Sequence, residues 1–570
     1  MKYSITACAA LACLAAAPTQ ANEQSIAYFT EDKARALPAL LSSEDRAYYG
    51  SLYEAIGTQN WLRVEELLSE RSDGPLHGSA QATYFLHPES PTIPLDRLTA
   101  WLGSYRDLPQ AAGIVRLAEK RGLTNPPRLP QARSLQRQRG ITRRTRPRAV
   151  NDGTMPASVR SAILSHIRDD DPDGARVLLD GIDASLSSAA RAEWRQRVAW
   201  SYYIENRDRE ALAIASTVSQ GSGAWVAEGE WVSGLAAWRI GDCHIASNAF
   251  RNAAAATSDV ELTAAAHYWA GRSLMRCREP VLATQSFNAA AQSDETLYGM
   301  LALEALGREL PSDHARPDLT SDDWQNLSGK PAVRQAVMLA ELGRSSEADE
   351  ALRYQARISD NTEYRALGRL ARALGLTATQ RFMAYNAPRG AAAEPSWRWP
   401  VTYQQPTGGW RVDPALAFAH ALQESNFRER VVSPAGAIGL MQIMPITRRE
   451  YAASLNLDAR YADLKEPRTN LAFGQRALEA LSQSSATRGH LPKIMAAYNA
   501  GLTPVTRWNS EVRDQNDPLT YMESIPYWET RGYVNIVMRN YWMYLRQANA
   551  EAESREALAQ NKWPEFPRER

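Results

Sequence analysis

The sequence predicts a mainly α-helical protein in which an N-terminal superhelical α-solenoid precedes a second, more compact helical domain. Three observations lead there. From about Gln24 to Ala387, Ala- and Leu-rich amphipathic segments follow one another, broken by Gly, Pro, Asn or Asp, and the Val/Ile alternation that marks strands is rare. The run Trp231-Val232-Ser233-Gly234-Leu235-Ala236-Ala237-Trp238 is echoed 37 residues later by Tyr268-Trp269-Ala270-Gly271-Arg272-Ser273-Leu274-Met275, and Phe250 is echoed by Phe287 at the same offset. Finally, 570 residues exceed the roughly 250 to 300 that one hydrophobic core organises, so more than one domain is expected.

In chain order, Met1-Lys2-Tyr3, an Ala/Leu/Cys-rich run to Ala17 and Pro18-Thr19-Gln20-Ala21 have the charged start, short apolar stretch and small-residue cut site of a secretory leader, with cleavage expected after Ala21. A lipid anchor on Cys8 or Cys13 is the minor alternative. Past the leader no apolar run approaches the roughly 20 residues needed to span a bilayer, so no membrane span is expected. Removing Lys2 leaves 65 − 1 = 64 basic residues against 64 acidic ones, a balance that argues against a nucleic-acid partner.

Between Pro127 and Arg148 stand arginines 128, 133, 137, 139, 143, 144, 146 and 148 with little apolar content. The segment reads as an exposed loop or a long surface helix, either a solvated face or a patch that attracts anionic polymers. The 37-residue period, with an aromatic facing a small residue across two short helices, fits stacked helical hairpins that each bury the face a neighbour exposes; an irregular helical bundle stays open. Trp225, Trp231, Trp238 and Trp269 have helical spacing, which favours core packing over a ligand-stacking path. Cys243 and Cys277, expected near the ends of the first helices of adjacent units, can pair in an oxidising compartment or stay as buried thiols. The eight histidines are scattered, and no metal site is signalled. From Pro388-Arg389-Gly390 to Pro406-Thr407-Gly408-Gly409, Pro, Gly and Trp interrupt the helical pattern and suggest a domain boundary.

The chemistry follows that boundary. Asp413-Pro414 is a helix opening, with Asp as cap and Pro at the first position, and Ala415, Phe418, Ala419 and Leu422 make one apolar face. The helix is expected to end near Asn426-Phe427, which puts Glu424 in its last turn. There the negative end of the helix dipole and apolar surroundings both push a carboxyl pKa upward. A carboxyl that keeps its proton near neutral pH is what a sugar leaving group requires. Next comes Ser433-Pro434-Ala435-Gly436-Ala437-Ile438-Gly439-Leu440-Met441-Gln442-Ile443-Met444-Pro445, in which Gly436 and Gly439 allow close backbone approach and Gln442 suits sugar hydroxyl and acetamido groups. Met495-Ala496-Ala497-Tyr498-Asn499-Ala500-Gly501 and the segment from Glu523 through Ile525-Pro526-Tyr527-Trp528-Glu529-Thr530-Arg531 to Val534 add aromatics and polar groups.

In order and spacing these motifs resemble the soluble lytic transglycosylase family, densely over about residues 413 to 544. The resemblance implies a lysozyme-like helical catalytic domain of the goose type that breaks the bond between N-acetylmuramic acid and N-acetylglucosamine of peptidoglycan without water. After the leader read at 1–21, it implies a superhelical domain at 22–328, a helical linker domain at 329–395 and a catalytic domain at 396–570. Glu424 matches the glutamate that first protonates the glycosidic oxygen and then takes the proton of the muramoyl 6-hydroxyl, closing a 1,6-anhydro ring. Ser433 matches a serine that contacts the muramoyl group. Gln442 and Met444 match cleft residues, and Tyr498 with Asn499 matches the segment beside the acid. Glu529 matches a glutamate that supports the tyrosine and the site floor. For Met441, Ile443 and Met444, packing is at least as good a reading as substrate contact.

Two positions depart from the family pattern: Leu422 where arginine is frequent, and His420 where an aliphatic residue is usual. Glu429, Glu450 and Glu466 lack motifs around them and read as solvated, so the second carboxylate of a two-carboxylate glycosidase is not evident. A hydroxyl held on the substrate itself gains from high effective molarity, so one carboxyl can suffice. Met383-Ala384-Tyr385-Asn386-Ala387 repeats the Ala-Tyr-Asn words away from the other motifs and is assigned no catalytic role. No cofactor is expected, the expected partner is the glycan strand, and the expected location is the periplasm. A water-using lysozyme on the same scaffold and an inactive wall-binding scaffold are the alternatives.

Overall fold

The computed structural model describes residues 20–31, 37–311 and 318–567, with side chains from residue 23 onward. The expected leader lies outside the described residues except for the backbone of Gln20 and Ala21, which open a helix, Gln20–Thr30. Helices dominate. The one sheet among the described residues is a two-stranded antiparallel ribbon, Leu135–Arg137 against Asn386–Pro388, with Leu135 opposite Pro388. No described helix is long and apolar enough to cross a membrane.

The echoed runs fall on successive helical hairpins: Trp225–Ile240 with Cys243–Ala255, then Val260–Arg276 with Pro280–Ala291. The period has a steric cause. A Cβ on Gly234 would lie 2.5 Å from the ring of Phe250, and one on Gly271 would lie 2.6 Å from the ring of Phe287, so each hairpin closes by seating its Phe on a bare stretch of helix. Asp242 and Asp259 cap the helices that follow them, accepting from the amides of Ile245 and Leu262. Trp225, Trp231, Trp238 and Trp269 are all buried in this stack.

Cys243 and Cys277 form a disulfide with their Cα atoms 5.6 Å apart. Their expected position needs correcting: Cys243 opens the second helix of its hairpin, whereas Cys277 caps the first helix of the next. The bridge therefore ties one turn to the adjacent turn. Closing a separation of 34 residues stabilises the fold by about 4 kcal/mol on loop-entropy grounds.

Buried apolar residues gather into two large clusters. One joins residues 41–118 to 327–397; the other joins residues 163–310 to 399–566 and also takes in Tyr28 and Phe29. The solenoid and the C-terminal helices thus share a continuous core. Phe29 packs edge-on against Phe418, 5.2 Å between ring centres, on the helix that carries Glu424.

The arginine-rich segment is, as expected, largely an exposed loop and not a helix, with only Arg133 and Arg144 of its arginines partly buried. It is an extended strap crossing from one cluster to the other. Arg133 donates to the carbonyl of Ser359, and residues 135–137 pair with the ribbon strand at 386–388. Farther along, Thr142 bonds Glu261, and Arg144 is largely buried, 2.7 Å from Glu228 and 3.7 Å from Glu523, with its guanidinium over Trp231. Tyr385 and Asn386, in the duplicated Ala-Tyr-Asn words, lie at the junction of a linker helix and that ribbon.

Candidate active site

Helix Pro414–Glu424 is fixed at its N-terminus by Asp413, whose side chain accepts from the amide of Ala415. Residues Pro414 to Leu422 are buried on every side. The helix stops at Glu424 because Asn426 and Phe427 adopt left-handed backbone, φ 55° and 56°, which turns the chain away. Glu424 therefore occupies the last turn, as the sequence predicts, with its side chain mostly buried at the helix end.

One hydrogen bond defines its setting. Tyr533, on the long helix Trp528–Ala548, donates its hydroxyl to Glu424 Oε1 at 2.7 Å. His420, one turn before Glu424 and fully buried, lies with Nδ1 2.8 Å from the same Tyr533 oxygen. Since the tyrosine proton points to the carboxylate, His420 Nδ1 is the donor of that second bond, and this tautomer leaves Nε2 as the bare acceptor, which indeed has no partner. Burial drives the His420 pKa down to about 3, so the ring is neutral.

Burial is also the main cause of the shift at Glu424. It raises the carboxyl pKa to about 7; the Tyr533 hydroxyl opposes the rise by stabilising the carboxylate, and the negative charge of Glu529 adds to it. Near neutral pH this group is populated in both protonation states, the condition for giving and taking a proton at one atom pair.

The opposite wall is a tight turn. Tyr498, on helix Leu491–Ala500, stacks obliquely against His420 with ring centres 4.7 Å apart and donates its hydroxyl to the carbonyl of Met441 at 2.8 Å. This bond ties the Gly-Leu-Met-Gln run to the tyrosine that packs on His420, one turn from Glu424. The turn is closed by paired backbone bonds between Ile438 and Ile443, and Asn470 staples it, donating to the carbonyls of Ile438 and Leu464 while accepting from the amide of Met441. Gly439 is required there: its φ is 78°, and a Cβ would sit 2.3 Å from the Leu464 carbonyl. Met441 is seated on Gly474, where a Cβ would overlap its sulfur.

The remaining sequence-predicted residues fall around this centre. Gln442 has φ 50° and folds its amide nitrogen onto the carbonyl of Gly439. Ser433 Oγ accepts from the amide of Ala437 and holds the outer arm of the turn. Met444 is exposed at the end of the run, and Asn499 accepts from Thr530 at 2.7 Å. The expected support of Tyr498 by Glu529 is not what the structure contains: the tyrosine hydroxyl is satisfied by Met441, and Glu529 is exposed in the first turn of the long helix. The reading of Glu429, Glu450 and Glu466 as solvated holds only for exposed Glu450. Glu466 caps helix Pro467–Gln483, and burial raises the pKa of partly buried Glu429.

Three residues carry more of the site than the sequence discloses: Tyr533, His420 and Asn470. Tyr533 stands within a quoted motif, so its hydroxyl was available as a signal; Asn470 stands in an ordinary amphipathic helix and offered none.

With this geometry in place, the relation to known proteins is informative. Residues 402–520 match the family model described as the transglycosylase SLT domain. The chain carries an SLT transglycosylase domain. Over 172 residues it is 34% identical to the soluble lytic murein transglycosylase of Salmonella typhimurium, covering 29% of this chain and 26% of that protein. Over 147 residues it is 35% identical to the soluble lytic murein transglycosylase of Escherichia coli K12, covering 25% of this chain and 22% of that protein. The matched part thus spans about a quarter of the length of these relatives. The crystal structure of the 70 kDa soluble lytic transglycosylase of E. coli superposes with a TM-score of 0.53 at 16% identity, over 92% of this chain and 99% of that one. That likeness extends the shared fold well upstream of the SLT domain.

Proposed function

We propose that this protein is a lytic transglycosylase that cleaves the β-1,4 bond between N-acetylmuramic acid and N-acetylglucosamine in peptidoglycan and leaves 1,6-anhydro ends. The observation that carries this reading is the largely buried carboxyl of Glu424, its pKa raised to about 7, which accepts from Tyr533 and lies in the region that matches the SLT domain.

In the first step Glu424 gives its proton to the glycosidic oxygen as the bond to the anomeric carbon breaks, and the N-acetylglucosamine side leaves as an alcohol. Glu424, now a carboxylate, faces the positive charge developing at the anomeric carbon, and the Tyr533 hydroxyl is aimed at the oxygen that bears the new negative charge. In the second step the carboxylate takes the proton of the muramoyl 6-hydroxyl, whose oxygen bonds to the anomeric carbon and closes the ring. The proton count returns to its start, and no water enters. Neutral His420 holds Tyr533 in place without adding a charge next to Glu424.

Ser433, Gln442, Met444, Tyr498 and Asn499 are the proposed glycan-contacting set, with Glu529 acting on Glu424 through its charge. The disulfide and the leader-like N-terminus support a periplasmic location. The test is mass spectrometry of sacculi digested with the full chain. Anhydro-muramoyl ends are expected; ends carrying an added water would overturn the non-hydrolytic step, and undigested sacculi would overturn the activity.

A further inference from the structure

A chamber of about 370 Å³ lies between the solenoid and the first turns of Trp528–Ala548. Indoles and guanidiniums are prominent on its walls, among aliphatic residues and Glu228: Trp200 and Trp225 from the solenoid, Arg146 from the strap, and Trp528 and Arg531 from the long helix. The Arg531 side chain is held between two rings, its guanidinium 4.2 Å from the centre of the Trp200 ring and 5.0 Å from that of Trp528. Arg531 is only 7% exposed and donates to the carbonyl of Ile525, yet it makes no ion pair among the described residues.

The charges on the chamber wall do not cancel. Arg197 is met by Glu193 at 2.8 Å, and the acid on the wall, Glu228, is taken by Arg144 at 2.7 Å. Arg146 and Arg168, like Arg531, have no carboxylate partner among the described residues, and Arg146 lies over Trp225 and Trp528. Burial lowers the Arg531 pKa only to about 10, so it stays charged at neutral pH. Arg531 is a buried guanidinium without a counter-charge within ion-pair distance, a cost that a bound anion would recover, while exposed Arg146 and Arg168 offer two further guanidiniums to the same anion from the rim.

The chemistry of the walls specifies the anion. Guanidinium forks pair with carboxylates in two-point fashion, while indole faces pack against apolar groups. A cavity of this size falls in the range of roughly 300 to 1,000 Å³ that holds a small organic ligand rather than a bare ion. We propose that the chamber is a second binding site that takes a carboxylate-bearing peptide stem of peptidoglycan. This rests on peptidoglycan being the substrate. Arg531 and Tyr533 are two positions apart, about 200° around the helix axis. The chamber and the Glu424 carboxyl therefore use opposite faces of one helix, and a stem held in the chamber anchors the wall polymer to the element that positions the acid.

The test uses the full chain with Glu424→Gln, expected to cleave about a thousandfold more slowly, titrated calorimetrically with a free stem pentapeptide and with the same peptide amidated at its carboxylates. The free peptide is expected to bind. The double variant Arg146→Ala/Arg168→Ala, on the strap and the solenoid, is expected to weaken it at least tenfold with an unchanged melting temperature, as is amidation, and Trp200→Ala is expected to weaken it as well. Absence of binding, or equal binding by the double variant or by the amidated peptide, would overturn the proposal. Sacculus digestion by the wild type is read separately. Digestion without peptide binding removes the second site and leaves the activity, whereas peptide binding in the chamber without digestion removes the activity and leaves the site.

Discussion

Helix Pro414–Glu424 holds a buried carboxyl at each end, and the two are satisfied very differently. Asp413 accepts from Ser25, the amide of Ala415 and Tyr541, which occupy both its oxygens. Glu424 accepts from Tyr533 on Oε1, and its Oε2 has no partner among the described residues. Burial raises both pKa values, to about 6 at Asp413 and about 7 at Glu424. Desolvation alone therefore does not make a catalytic acid. The difference is that one carboxyl has its hydrogen-bonding capacity spent on the fold, as a helix cap and a clamp between Gln20–Thr30 and Trp528–Ala548, while the other keeps an oxygen for a proton in transit.

Substitutions at the two ends should separate these roles. Glu424→Gln is expected to lower sacculus digestion by about a thousandfold, in the middle of the range for loss of one acid–base group, with the circular dichroism spectrum unchanged. Digestion within tenfold of wild type would remove Glu424 from the chemistry. Tyr533→Phe should cut turnover by about a hundredfold, the low end for loss of one preorganised hydrogen-bond donor. Because the tyrosine hydroxyl holds the Glu424 pKa down, its removal should also move the alkaline limb of the pH–rate profile to higher pH. A profile that keeps its midpoint while turnover falls would reduce Tyr533 to a packing residue.

Asp413→Ala breaks the other end. It removes a cap and leaves the Ser25 and Tyr541 hydroxyls without their acceptor, a loss of about 2 to 4 kcal/mol in denaturant unfolding. Turnover per folded molecule should stay within a few-fold, and a collapse in turnover without a loss of stability would contradict the division of labour. The smallest effect is on heat stability. Glu424 binds its proton more tightly in the folded chain, so its contribution is most favourable below the ordinary carboxyl range and is lost as pH rises through about 7. Glu424→Gln should therefore melt above wild type at pH 8, with the gap closing at pH 5. A gap independent of pH would mean that the carboxyl is not desolvated.

The same contrast explains what could be read in the sequence. Asp413-Pro414 and the stop after Glu424 are local signals, so the helix and the position of Glu424 were legible. The hairpin period was legible because each Gly–Phe seat repeats at a fixed offset. Tyr533 was visible only as a letter in a motif, since its role depends on a partner 109 positions away. Asn470 works through carbonyls on the turn, which carry no residue identity at all. Composition correctly makes most of the strap's arginines look solvated, but it does not disclose the anchor: Arg144 finds Glu228 at a separation of 84 residues, a pairing that only the assembled fold creates.

The most direct measurement is the titration of the Glu424 carboxyl itself, by carbon NMR of the full chain with labelled glutamate, assigned through Glu424→Gln. A midpoint near 7 that moves upward in Tyr533→Phe is expected. A midpoint near the ordinary glutamate value, unmoved by Tyr533→Phe, would contradict the account of a carboxyl that holds its proton until the sugar oxygen takes it.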